Sequence, residues 1–267
     1  MNPPVSIQAP VDTHFHVFDA HQAVPGSRYV PSYDAPYDHW WAQASAAGVR
    51  KGVVVQPSFL GTDNSRLIQE LQLHADTLRG VAVVASDAGI DELASLHSHG
   101  VRGIRLNLAG KSMAAEPWVP SHRLTDALLA LRWHVEVHTD LGALPSVLEK
   151  LPRALPLVID HMGKPDAVRK DDPTVAAVRQ RRNTGGAVWV KLSGPYRLHQ
   201  RDAGALANLW QGELGSSALL WGSDWPFTNH EQAQRYNHLR AQLNNWLPAT
   251  ALQSVLSDNP RRLYWSE

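Results

Sequence analysis

Eight short apolar runs, at 11–18, 52–56, 79–84, 101–108, 133–138, 157–161, 187–193 and 219–224, constrain this chain more than any other feature. Several are apolar on consecutive residues, as in Gly52-Val53-Val54-Val55, which marks a strand buried on both faces and therefore a parallel sheet. Helix-compatible stretches separate most of them: 40–47, stopped by Gly48; one from an Asp63 or Asn64 cap to about 76; one from about 91; then 123–131, 144–151 and 173–182. After the eighth run the chain reads as helical to 263. Strands alternating with helices predict an α/β protein, and eight such units predict closure into one (β/α)8 barrel over residues 1–267. An open doubly wound sheet satisfies the same alternation. However, no G-x-G-x-x-G follows a strand and no Walker A sequence occurs, so nucleotide binding has no support.

The first run holds the first chemical signal, His14 and His16. Side chains two apart on a strand share a face, so these imidazoles can grip one metal ion or one polar substrate. Later runs end in further polar residues: Arg105 and Asn107, His138, His161, Ser193 followed by Arg197, and Asp224, with Ser58 just past the second run. Each has an ordinary structural explanation, such as a helix cap, a satisfied buried histidine or an ion pair. In a closed parallel barrel, however, the C-terminal strand ends share one mouth, where catalysis takes place. The irregular stretch 21–39, carrying Arg28 and Tyr29, is too long for a plain connector and is expected to be functional.

Composition narrows the chemistry. With 25 basic and 25 acidic side chains, global charge offers no attraction for nucleic acid or an anionic membrane. The absence of cysteine excludes disulfides, thiolate catalysis and Cys-zinc sites. No signal-peptide pattern opens the sequence and no apolar run would span a bilayer, so a cytoplasmic protein with no membrane association is expected.

The HxH pair, the later His138 and His161, and Asp224 resemble the pattern of the amidohydrolase superfamily. More specific are 56–64 (QPSFLGTDN), 102–107 (RGIRLN), 160–165 (DHMGKP), 189–197 (WVKLSGPYR) and 221–226 (WGSDWP), which together resemble the amidohydrolase-2 lactonases that open pyrone dicarboxylates. The resemblance runs from Val11 to Leu263. It implies the barrel and a hydrolase opening an anionic small-molecule lactone, a cyclic ester of a carboxylated metabolite. It implies Asp224 as the base that activates water, with His14, His16 and His161 polarising the carbonyl directly or through a metal. Arg105 and Arg197 match cationic positions that hold carboxylates, Lys111 stands where an Arg is expected, and Tyr29 and Ser58 match substrate contacts. His138 stands where the pyrone hydrolases place a Tyr; this restores a fuller ligand set of His14, His16, His138, His161 and Asp224, suited to one divalent ion, zinc foremost. A metal-independent reaction, a metal-dependent decarboxylase and a sugar-lactone hydrolase or isomerase remain alternatives on the same fold, as monomer or homodimer.

Overall fold

The computed structural model describes residues 8–27, 29–111 and 118–266; Arg28 lies outside them. Its eight strands are β1 (Val11–Phe15), β2 (Lys51–Val55), β3 (Leu78–Ala82), β4 (Val101–Asn107), β5 (His134–His138), β6 (Leu157–Ile159), β7 (Val188–Leu192) and β8 (Leu219–Trp221). They form one sheet in chain order, and every adjacent pair from β1 to β8 is parallel. Helices α1 (Tyr37–Ala46), α2 (Ser65–Leu73), α3 (Ile90–Ser98), α4 (His122–Ala130), α5 (Leu144–Lys150), α6 (Pro173–Asn183) and α7 (Ala203–Leu214) fill the crossovers. After β8 come α8 (Tyr236–Trp246), α9 (Ala249–Gln253) and α10 (Asn259–Tyr264). The expected (β/α)8 barrel is present, and among the described residues no helix is long and apolar enough to cross a membrane.

The β1–β8 seam closes above the regular strands. Asp224 N–H donates to the His14 carbonyl at 2.8 Å, and His16 N–H to the Trp225 carbonyl at 2.9 Å. Below them the buried Asp12 carboxylate accepts from Ser223 N (2.8 Å), Ser223 Oγ (2.7 Å), Trp40 Nε1 (2.9 Å) and the Tyr236 hydroxyl (2.9 Å). Gly222 makes this approach possible, because a β-carbon there would lie 2.5 Å from His14 Cβ.

Outward-facing strand residues pack on the helices, while Val53, Val55, Val81, Val158 and Leu220 fill the barrel interior with Tyr264 from α10. The strand β5 shows the division: all five residues are buried, with Val135 and Val137 among the core apolar residues. His134, Glu136 and His138 alternate with them, and Glu136 and His138 meet the polar partners described below.

Local details depart from the sequence reading. The first, sixth and eighth strands end at Phe15, Ile159 and Trp221, so His16, His161 and Asp224 lie beyond the regular ladder. His161 and Asp224 have φ of 48° and 61°, the left-handed conformation, which turns the chain sharply at the mouth. Asn64 precedes α2 but does not cap it: its side chain bonds Val83 N (3.1 Å) and Val83 O (2.8 Å), tying α2 to the end of β3, while Asp63 Oδ1 accepts from Ser65 N. The helix α7 is an addition to the sequence expectation: Asp202 caps it through Ala205 N at 3.0 Å, and Trp210 anchors it by donating to the Met162 carbonyl. The stretch 222–235 is irregular rather than helical.

Candidate active site

At the C-terminal mouth, Nε2 of His14, His16 and His161 stand 3.7, 3.7 and 3.9 Å from one atom, Asp224 Oδ1. Each ring is fixed from behind. His16 Nδ1 bonds the Val55 carbonyl at 2.6 Å and His161 Nδ1 the Ser193 hydroxyl at 3.0 Å. His14 Nδ1 lies 3.1 Å from Lys191 Nζ and 3.3 Å from Asp160 Oδ1. Asp224 Oδ2 is held by Arg197 Nε (2.6 Å) and the Tyr196 hydroxyl (2.7 Å), leaving Oδ1 to the imidazoles.

A cavity of about 900 Å³ opens over this cluster. Tyr29, Ser58, Arg105, Lys111, His138 and Arg197, the expected substrate contacts, all line it, as do His16, His161 and Asp224. So do Asn107, one of the expected polar strand-end residues, and Lys164 and Tyr196, to which the sequence reading assigns no role. Lys164 and Tyr196 sit inside the segments 160–165 and 189–197, but residue type alone gave them no role.

The expected contacts are not equivalent. Arg105 Nε lies 3.3 Å from Asp160 Oδ2, and Arg197 spends Nε on Asp224 and Nη2 on the Thr228 carbonyl (3.2 Å). The Tyr29 hydroxyl donates to Glu231 Oε1 at 3.2 Å, beside Tyr33. His138 packs edge-on against His161, with ring centroids 4.6 Å apart, but its Nε2 meets Lys164 Nζ at 3.0 Å. His138 therefore stands apart from the cluster of His14, His16 and Asp224, whose ligand atoms lie within 4.8 Å of one another.

Under the cluster lies a buried charge network. Lys191 Nζ is 2.7 Å from Glu136 Oε1 and 3.3 Å from Asp160 Oδ1, and the Tyr264 hydroxyl donates to Glu136 at 2.9 Å. Burial would raise Glu136, but the Lys191 ammonium together with His134 and His14 more than offsets it and brings the carboxyl down to about 2. Burial would likewise raise Asp224; the Arg197 guanidinium, then His161, hold it well below the ordinary carboxylate range. Burial itself lowers His14 to about 4, and depresses His138 and His161 strongly. It also lowers Lys164 to about 8, against the pull of Asp140. Asp224 is thus an ionised carboxylate, with His14 and His161 neutral beside it.

That donor set fits a divalent cation. The buried His14 Nε2 has no hydrogen-bond partner and faces Asp224, and neutral imidazole with carboxylate suits zinc.

The amidohydrolase family model matches residues 11–265. The chain belongs to the amidohydrolase family. It is 31% identical to a 2-pyrone-4,6-dicarboxylate hydrolase of Comamonas testosteroni, over 96% of this chain and 90% of that one. It is 29% identical to a 4-sulfomuconolactone hydrolase of Rhizobium radiobacter, over 98% and 92%. Among solved structures, a Pseudomonas putida protein described as a 2-pyrone-4,6-dicarboxylic acid hydrolase superposes with a TM-score of 0.86 at 35% identity, covering 96% of this chain and 97% of that one. Across this amidohydrolase the matched region contains all eight strands of the barrel.

Proposed function

We propose that this amidohydrolase opens a lactone that carries an anionic substituent, a pyrone dicarboxylate or a close chemical relative. One observation carries the reading: Asp224 Oδ1 faces three imidazole nitrogens at 3.7–3.9 Å beside a cavity lined by Arg105, Arg197, Lys111 and Lys164. The full-length relatives that act on lactones support it.

Lactone hydrolysis needs a base for water, donors where the carbonyl oxygen gains charge, and an exit for the ring oxygen. Asp224 Oδ1 takes the proton as the water oxygen bonds to the carbonyl carbon. The Arg197 and Tyr196 contacts on Oδ2 keep the carboxylate aimed at the mouth. The imidazole edges of His16 and His161, which line the cavity, stabilise the developing oxyanion, with His14 buried beside them. The ring C–O bond then breaks and the ring oxygen leaves with a proton, giving a hydroxy acid whose new carboxyl releases one proton at neutral pH. A zinc ion held by His14, His16 and Asp224, with His161 adjacent, would polarise the carbonyl and acidify the water. Arg197 serves the base first and the substrate anion through the rest of its fork.

The test is a pH-stat assay of pyrone dicarboxylates, muconolactones and aldonolactones, with metal content measured on the same sample. Uptake of base matching ring opening of the anionic lactones, without carbon dioxide, is expected. Absence of turnover on every lactone overturns the reading, and carbon dioxide release would assign a decarboxylase instead. Activity lost on chelation and restored by zinc places the ion in the reaction; full activity in metal-free protein leaves the imidazoles as the donors.

A further inference from the structure

Lys164 sits on the left-handed turn that leaves β6, with φ of 44°, and its backbone is pinned by Gly142 N–H donating to its carbonyl at 3.0 Å. The turn returns the side chain to the mouth, where it is 6% exposed and lines the cavity. The neighbouring arginines are engaged: Arg105 Nε with Asp160 at 3.3 Å, Arg197 Nε with Asp224 at 2.6 Å. Lys164 has no such carboxylate. Among the described residues its amine meets only the neutral Nε2 of His138, at 3.0 Å, and the other nitrogen of that buried ring has no hydrogen-bond partner.

A buried ammonium facing a neutral ring is costly unless an anion compensates it. Asp140 and Asp160 pull on the ammonium from a distance, but among the described residues no carboxylate pairs with it, and the cavity is the open side from which an anion can arrive. The position is also specific. His138 packs on His161 with ring centroids 4.6 Å apart, and His161 Nε2 faces Asp224 Oδ1 at 3.9 Å, so contacts through these two rings link the amine to the reacting cluster.

We propose that Lys164 is the specificity-determining cation of this site: its ammonium takes the anionic substituent adjacent to the reacting carbonyl, and His138 aims the amine. This deepens the lactonase reading and rests on it. An ammonium is a point charge without the planar preference of a guanidinium fork, so it serves a carboxylate or a sulfonate.

The experiment uses the full chain as Lys164→Met and Lys164→Arg, with melting temperature checked for each. The substrates are 2-pyrone-4,6-dicarboxylate, its uncharged dimethyl ester and a sulfonated muconolactone. For Lys164→Met the ratio of kcat/KM on diacid to that on diester should fall about ten- to a hundredfold, the size of a lost charge-assisted contact. Lys164→Arg should recover most of the ratio. A parallel loss on the sulfonated lactone would show that the site takes either oxyanion; loss on the diacid alone restricts it to carboxylates. Calorimetric titration with isophthalate, a planar dianion that cannot be hydrolysed, reads the same contact without turnover, and its Kd should rise at least about tenfold in Lys164→Met. Equal losses on diacid and diester, or an isophthalate Kd unchanged between wild type and Lys164→Met, overturn the proposal. Should no lactone be turned over, the lactonase reading falls and isophthalate still decides Lys164. If Lys164→Met does not fold, Lys164→Gln takes its place in both measurements.

Discussion

Asp224→Asn separates chemistry from structure at the centre of the site. The backbone of Asp224 has φ of 61°, a conformation that Asn adopts more readily than other residues with a β-carbon, so the turn should survive. The amide oxygen can take the place of Oδ2 and accept from Arg197 Nε and the Tyr196 hydroxyl, which leaves the NH2 group where Oδ1 faced the three imidazoles. What disappears is the ion pair to Arg197, a charge-assisted contact worth about 1.5–3 kcal/mol, and the carboxylate oxygen that the three imidazoles face. Loss of a general base costs about 10²–10⁴ in rate, equal to roughly 3–5 kcal/mol of transition-state stabilisation. The anion contacts of the cavity remain, so KM should change far less than kcat. Initial rates of pyrone ring opening, followed by ultraviolet absorbance over a range of substrate concentrations, give both constants, and circular dichroism confirms the fold. A kcat within about threefold of wild type, against the 10²–10⁴ of a lost base, would remove Asp224 from the proton transfer and leave it as a residue of the turn.

Three further outcomes follow from the network and the seam. Lys191→Met leaves Glu136 and Asp160 buried without their shared ammonium; a loss of about 3–5 kcal/mol is expected, read as a fall in Tm of roughly 6–20 °C, and an unchanged Tm would show the network contributes nothing net. Gly222→Ala sets a β-carbon 2.5 Å from His14 Cβ, so stability should drop by about 1–3 kcal/mol together with kcat; a drop in neither would mean the seam widens freely. Burial lowers His14 from 6.5 to about 4 and depresses His138 and His161, so between those values the unfolded chain binds more protons than the folded one. Stability present above pH 6.5 is lost as pH falls towards 4, about 2 kcal/mol by pH 5 from His14 alone, and Glu136 extends the loss from 4.5 towards 2. Urea unfolding at pH 7.5 and pH 5 measures it; equal stability at both would show that these rings are charged in the folded protein.

The barrel was legible because eight apolar runs carry a local signal, buried on two faces and repeated. The cluster of His14, His16, His161 and Asp224 was legible because the topology brings strand ends to one mouth. Pairing inside that mouth was not. Arg197 reads in sequence as a cation for substrate, yet its Nε lies on Asp224, and His138 reads as a ligand, yet it faces Lys164; both outcomes depend on side-chain reach across strands far apart in the chain. Lys191 and Glu136 stand among apolar neighbours on β7 and β5 and betray no partner until the strands are assembled. The helix α7 carries Gly204 and Ala205 in its first turn and no proline at its start, unlike α6, so its opening has little local helix signal.

The hydrogen bonds from Asp224 N–H to the His14 carbonyl and from His16 N–H to the Trp225 carbonyl join residues more than two hundred positions apart, and they carry the base and the imidazoles on the same atoms of chain that shut the barrel. Catalytic geometry is therefore a late event in folding: it requires the first strand to meet the last, a contact whose sequence separation makes loop closure costly. Secondary structure can recover while the two ends are still apart, and no fragment lacking either end can assemble the cluster. Enzymatic activity in this chain is in effect a gauge of circular closure, more sensitive to the parting of one seam than any average measure of helix or strand.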